Sequence, residues 1–356
     1  MDFMNLDQRI DLLAELGNYC ISSDPAWIAA QRQAHAANGW FTPEFISLAI
    51  RGIAVQYLDK GKLQAWAGKY ELPDQPAAPR TIGLTMAGNI PLVGFHDFLS
   101  IFISGHHQLI KPSSRDEILI RQLLRHLLTI EPTAATYFGF ADRLAGCDAY
   151  IATGSNNSAR YFDYYFAKYP HIIRRNRTSV ALLTGEESIQ DLEALADDVY
   201  QYFGLGCRNV TQLYVPYNYD FLSLLQAFRK YNYLSRLTKY KHNYDYQLTL
   251  LILNKKAYMS NESILLAEND SPFSPISVLH YTYYRPGDPL PAALSGNNPD
   301  IQTIVGRSIP DGPPSDISDP DRAASAHLTA FGQAQQPRLE DYADGIDTLK
   351  FLRDLP

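Results

Sequence analysis

A chain of 356 residues, 46% hydrophobic and 19% charged, has room for two domains and a substantial core. Its net charge of −7 excludes a general nucleic-acid binder, because phosphate binding needs a clustered basic surface. Three cysteines, Cys20, Cys147 and Cys207, are odd in number and far apart, which argues against a disulfide framework or a zinc site and points to a reducing compartment.

The N-terminus, Met1 to Asn5, has no basic segment followed by an apolar run, so no signal peptide is expected. The most apolar stretch, Ile90 to Gly105, is broken by His96 and Asp97 and is too short for a membrane span. A cytoplasmic protein is the expectation.

Residues 1–78 read as a helical segment, with Ile10, Leu12, Leu13 and Leu16 and then Phe41, Phe45 and Ile46 at helical spacing. Leu72 to Pro79 is a proline-rich linker. Beyond it the pattern becomes strand, turn, helix. Thr81 to Met86 is a buried strand, Ala87 to Pro91 a turn, and Leu92 to Ser104 a helix. His107 to Lys111 is a second strand, and Arg115 to Ile130 an amphipathic helix with Ile118, Leu119, Leu123, Leu127 and Ile130 on one stripe. A third strand, Ala149 to Thr153, ends in Gly154-Ser155, where Ser caps a helix running to Lys168. This alternation predicts an α/β fold with a Rossmann-type parallel sheet, ligands binding at the C-terminal strand ends where Asn89, Lys111 and Gly154-Ser155 fall.

A second α/β set opens with the strand Ser179 to Leu183 and the helix Gln190 to Tyr202. It continues with a strand at 212–216, a helix from Phe221 to Tyr231, and strands at Leu248–Leu253, Ile264–Leu266, Ile276–His280 and Ile301–Val305. Gly306 to Pro320 reads as a loop, and the patterned tail after Phe331 as ordered. The expected parts are the helical segment 1–78, an α/β domain 79–178, a second α/β domain 179–330, and a tail 331–356 packed back on the body.

Between the helix ending near Tyr202 and the strand at 212 lies Tyr202-Phe203-Gly204-Leu205-Gly206-Cys207-Arg208-Asn209. Two glycines within three residues of a thiol let the backbone turn sharply and aim its amides at one point. Arg208 favours the thiolate, the attacking form of cysteine.

Gly88-Asn89-Ile90-Pro91, Lys111-Pro112-Ser113, Thr153-Gly154-Ser155 and Gly206-Cys207 occur in an order and rough spacing that resembles the aldehyde dehydrogenase superfamily. The tail Asp341 to Leu349 resembles its LuxC-type branch, the fatty acyl-CoA reductases. The resemblance spans roughly residues 80 to 350. It implies an aldehyde dehydrogenase-like fold, with 79–178 as the nicotinamide cofactor domain and 179–330 as the catalytic thiol domain, and an oxidoreductase that turns an acyl-CoA into an aldehyde. Cys207 then matches the nucleophile and Asn89 the oxyanion-hole amide, while Lys111 matches the lysine at the adenosine ribose. Ser113 and Ser114 lie where selectivity at the ribose 2'-position is set, and neutral hydroxyls there favour NADPH over NADH. Gly154 and Ser155 match the turn beside nicotinamide and pyrophosphate. No metal is implied, and the superfamily's habit of self-association implies a homodimer.

Two departures matter. The stretch Ile173-Arg174-Arg175-Asn176-Arg177 lacks the glutamate with which oxidising members activate water, and Ser271-Pro272-Phe273-Ser274-Pro275 replaces their ribose-binding Glu-x-Phe-Gly-Pro, leaving Glu268 or Asp270 as substitutes. Further candidates are Arg174, Arg175 and Arg177 for phosphates of CoA or NADPH. His96, His106, His107, His171 and His280 are candidates for a proton relay, and Tyr161, Tyr164, Tyr165, Tyr281, Tyr283 and Tyr284 for an acyl channel. A cysteine-dependent acyltransferase or thioesterase without nicotinamide, and a non-catalytic scaffold, remain as alternatives.

Overall fold

The computed structural model describes residues 3–285, 294, 298–307 and 327–356. The chain forms two compact units, residues 1–176 with 337–356, and residues 177–336.

The first unit begins with four helices, α1 (Leu6–Cys20), α2 (Pro25–Ala37), α3 (Pro43–Gly52) and α4 (Lys60–Lys69), with a π-helical turn at Ile53–Tyr57. Each starts where a short polar side chain accepts a first-turn N–H, from Asn5, Asp24, Thr42 and Asp59 in turn, which satisfies amides the helix cannot. The linker 72–80 has no regular structure but is held in place: Asp74 accepts from Leu6 N through its carboxylate and from Arg9 through its carbonyl.

After the linker come β1 (Thr81–Thr85), α5 (Phe95–Ser104), β2 (His107–Lys111), α6 (Ile118–Ile130), β3 (Phe138–Phe140), β4 (Ala149–Thr153), α7 (Asn156–Phe166) and β5 (His171–Arg174). The sheet is parallel throughout, in the order β3-β2-β1-β4-β5. Phe95, Phe98, Leu99, Ile101, Phe102 and Ile103 of α5 are sealed from solvent, as its all-round apolar sequence demands. One continuous core joins the four helices, the central strands and the tail residues Leu339, Tyr342, Leu349 and Leu352. The tail is tied down by polar contacts as well: Trp66 Nε1 donates to the Tyr342 hydroxyl, which donates to Tyr70, whose hydroxyl donates to Asp347 at 2.6 Å.

The second unit holds β6 (Thr178–Leu182), α8 (Ile189–Tyr200), β7 (Val210–Pro216), α9 (Phe221–Ala227), α10 (Thr238–Leu253), β8 (Met259–Ser260), β9 (Leu265–Glu268), β10 (Val278–Tyr284), β11 (Ile301–Val305) and β12 (His327–Thr329). Its sheet runs β12-β11-β6-β7-β10-β9-β8, parallel except for the β8–β9 pair. The run Leu248–Leu253, expected as a strand, is instead the end of α10. So short an apolar run does not distinguish the two, but Tyr244, Leu248 and Leu251 recur at helical spacing and cover Leu265, Ala267 and Val278. The helix expected from Gln190 to Tyr202 stops at Tyr200, and the strand expected at Ile276–His280 runs from Val278 to Tyr284. The short edge strands β3, β5, β8 and β12 were not anticipated. Of the loop expected at Gly306 to Pro320, residues 308–320 lie outside the described residues. Among the described residues no helix is long and apolar enough to cross a membrane.

Candidate functional site

In the first unit the register of a parallel sheet sets the site. Thr85 pairs with Lys111 on one side and with Ala152 on the other, so the turns after β1, β2 and β4 emerge at one edge, the C-terminal edge where such sheets bind ligands. Asn89, half-buried, lies on the first turn; Lys111 (exposed), Ser113 (half-buried) and Ser114 (exposed) on the second; Gly154 and Ser155 on the third. Ser155 caps α7, its Oγ accepting the Ser158 N–H at 3.3 Å.

The first two turns are pressed together. A Cβ on Gly88 would fall 2.5 Å from Ser113 Oγ, so only glycine allows this approach. Four residues on, the backbone is forced into the left-handed region at Leu92, whose φ is 56°. The Leu92 N–H donates to Asp116 Oδ2 at 2.6 Å, which braces the loop carrying Asn89 against the loop carrying Ser113. Asp116 is buried, and its Oδ1 has no hydrogen-bond partner. Burial pushes its carboxyl up to about 8, opposed by the Leu92 N–H.

In the second unit Cys207 follows α8 through a short 3-10 segment, Gln201–Gly204. Three consecutive residues, Tyr202, Phe203 and Gly204, have φ of 54°, 60° and 73°. Left-handed backbone at a bulky residue costs on the order of 1–3 kcal/mol each and persists only where the surroundings enforce it. Asn209, fully buried, provides the enforcement. Its Nδ2 donates to the carbonyls of Asp198 (3.0 Å), Val199 (3.4 Å) and Gln201 (2.8 Å), the open end of α8. Its Oδ1 accepts the Gly206 N–H at 2.8 Å. The Cys207 carbonyl accepts from Ser179 Oγ on β6 at 3.1 Å, and the Arg208 guanidinium reaches Thr303 Oγ1 on β11 at 3.4 Å. Asn209 was missed from sequence, although an Asn directly after Gly-Cys-Arg at a helix-to-strand turn is the available signal.

Among the three thiols Cys207 stands apart. It is half-buried, whereas Cys20 and Cys147 are buried. Burial pushes the Cys20 thiol up to about 12 and raises that of Cys147, which keeps both in the unreactive form.

Several expected roles are not met. Arg174 is no phosphate ligand: it is buried, its guanidinium donates to both oxygens of Asp97 at 2.7 and 3.2 Å, and it also reaches Ala343 O and Thr348 Oγ1 in the tail. Arg175 pairs with Asp163 at 2.7 Å, and Arg177 donates to Ile301 O. Four of the five histidines bond backbone carbonyls. His106 accepts the Arg80 N–H at Nδ1 and donates to Leu352 O from Nε2. His96, His171 and His280 each hold a backbone carbonyl at 2.8 Å, and burial lowers the pKa of His106, His107 and His280. Tyr161, Tyr164 and Tyr165 stand in solvent on α7 rather than lining a channel. The cavity beneath the cysteine turn, bounded by Phe203, Gly204, Tyr240 and Ile264, measures about 20 Å³, room for a water molecule and not for an acyl chain. Among the described residues no cluster of His, Cys, Asp or Glu is suited to a metal ion.

The sequence matches no protein-family model and no curated protein sequence. Solved structures do match. An oxidoreductase from Marinobacter aquaeolei superposes with a TM-score of 0.64 at 11% identity, over 95% of this chain and 80% of that one. Aldehyde dehydrogenase 21 from Physcomitrella patens, in complex with the reaction product succinate, gives 0.60 at 13% identity, over 98% and 88%. PnpE in complex with nicotinamide adenine dinucleotide gives 0.58 at 12%, over 79% and 69%. The fold is aldehyde dehydrogenase-like, a parallel-sheet α/β architecture with a helical N-terminus.

Proposed function

We propose that the protein is an NADPH-dependent acyl-CoA reductase whose nucleophile is Cys207. The observation that carries this reading is the thiol itself: it sits half-buried on a turn held in costly backbone geometry by Asn209, while the other two thiols are sealed in the core. The fold adds support, since structures sharing it include an aldehyde dehydrogenase and a complex with a nicotinamide dinucleotide.

The residues at the first sheet's edge fit such a cofactor. Lys111 offers an exposed cation at the end of β2, Ser113 and Ser114 offer hydroxyls, and the first turn of α7 offers N–H groups and a positive dipole end for phosphate. Neutral hydroxyls at 113 and 114 tolerate a 2'-phosphate that a carboxylate would repel, which favours NADPH over NADH. The cofactor, when bound, supplies a hydride. The Cys207 thiolate attacks the thioester carbonyl carbon, the C–S bond to CoA breaks, and CoA leaves as its thiolate. Asn89 donates to the oxyanion. The acyl group stays on Cys207 because the stretch Ile173 to Arg177 has no carboxylate to activate water, so the thioester persists until hydride reaches its carbonyl carbon; the resulting tetrahedral anion expels the Cys207 thiolate and the aldehyde leaves.

Consumption of NADPH absorbance on adding acyl-CoAs of increasing length, with NADH as the control, tests the proposal. Mass spectrometry is expected to find an acyl adduct that disappears in Cys207→Ala. An adduct without NADPH consumption would mark an acyltransferase or thioesterase instead, and no adduct at all would mark a non-catalytic scaffold.

A further inference from the structure

We propose that Asp198 is a positioning residue for Cys207, locking the segment Phe331–Ala334 onto the helix end from which the cysteine turn is hung. This rests on Cys207 being the nucleophile.

Asp198 lies in the last turn of α8 and is completely buried. Both carboxylate oxygens are used: Oδ2 accepts the Gly332 N–H at 2.6 Å and Oδ1 the Ala334 N–H at 3.0 Å. The segment is pressed flat on the helix at this point. Gly332 has φ of 77°, and a Cβ there would lie 3.1 Å from the Ala194 Cβ. The carbonyl of the same Asp198 accepts from Asn209 Nδ2, the clamp that also receives the Gly206 N–H next to Cys207. One residue therefore touches the returning segment with its side chain and the cysteine clamp with its backbone. A left-handed run at Tyr202 to Gly204 needs a fixed helix end to hang from, and the carboxylate fixes it from the far side.

The charge state of Asp198 sets how firmly. Burial raises its carboxyl to about 7; the Gly332 and Ala334 N–H groups oppose this, neighbouring Asp197 adds to it, and Lys230 opposes it. Asp197 is itself neutralised by Lys230 Nζ at 2.8 Å and accepts from the Tyr231 hydroxyl. The segment 331–334 brings no titratable group, and the cysteine turn brings Cys207 and Arg208. Both N–H groups favour the anion, but burial outweighs them, so the closed arrangement is favoured while Asp198 is protonated and weakens as it ionises through about pH 7, because release of the segment lets the anion reach water.

Hydrogen exchange and thiol alkylation on the full chain read this without turnover, so the outcome stands apart from the reductase assay. In the wild-type protein, protection of the Gly332 and Ala334 amides, corrected for intrinsic exchange, is expected to fall about tenfold from pH 6 to pH 8, with Gly206 following. The rate of Cys207 alkylation by iodoacetamide should show a step near pH 7 besides the thiol's own ionisation, and Asp198→Asn should remove that step. Flat wild-type protection across this range, or an Asp198→Asn alkylation profile that overlays the wild type, overturns the proposal. Should the variant fail to fold, the wild-type exchange measurement decides alone.

Discussion

The turn that carries Asn89 and the turn that carries Cys207 solve one problem by different chemistry. Each follows a regular element, each forces at least one bulky residue into left-handed backbone, Leu92 in the first and Tyr202 and Phe203 in the second, and each is braced by a single buried polar side chain. At the cysteine turn the brace is a neutral amide, and both ends of Asn209 are fully used. At the asparagine turn it is a carboxyl bonded through Oδ2 alone, and burial raises its pKa to about 8. A buried amide holds its geometry at every pH, whereas a buried carboxyl imposes a cost that grows as it ionises.

The largest effect is expected from removing the amide. Asn209→Ala strips three α8 carbonyls and the Gly206 N–H of their buried partner, at about 1–3 kcal/mol for each group left unsatisfied. A loss of at least about 4 kcal/mol in chemical denaturation is anticipated, together with collapse of Cys207 acylation. A variant with wild-type stability and acylation would show that the amide does not hold the turn.

Asn89→Ala should cost on the order of a hundredfold in acyl-CoA reduction while leaving the pH dependence of Cys207 alkylation unchanged, because it removes an oxyanion donor and not a brace. Equal losses in alkylation and reduction would instead give Asn89 a structural role.

The smallest change is expected at Asp116. A folded-state pKa raised to about 8 means that its contribution to stability is fully present below about pH 4, the unfolded value, and is lost as pH rises through 8. Asp116→Asn keeps an acceptor for the Leu92 N–H and removes the buried charge. Urea unfolding should place the variant further ahead of the wild type at pH 9 than at pH 5, because the wild-type carboxyl must ionise inside the fold. Parallel stability curves from pH 5 to 9 would remove the distinction between the two braces.

Much of the architecture was legible from the chain. β1, β2 and β4 are apolar runs bounded by turn residues, and their turns were placed at one edge because parallel strands joined by helices leave no other arrangement. The edge strands escaped notice for the opposite reason. β5 begins at exposed His171 and ends at Arg174, and nothing in His-Ile-Ile-Arg separates it from a loop. The arginines were misleading because three of them within four residues read as a basic surface. Arg174 is instead buried against Asp97, 77 positions earlier, and no local pattern records such a pair. Leu248–Leu253 had a readable helical spacing with Tyr244, obscured by the uniform apolarity of the run.

By itself the sequence determined the succession β1, α5, β2, α6, β4 and α7, the edge on which Asn89, Lys111 and Gly154-Ser155 emerge, and a short roster of thiols, since these follow from spacing, turn chemistry and apolar periodicity. Only the tertiary structure decided which thiol is spared from burial, which arginine is turned inward, and that Asn209 and Asp116 hold the two turns. Burial and hydrogen-bond partnership depend on segments far apart in the chain, and the free energy that fixes them is gained only when those segments pack.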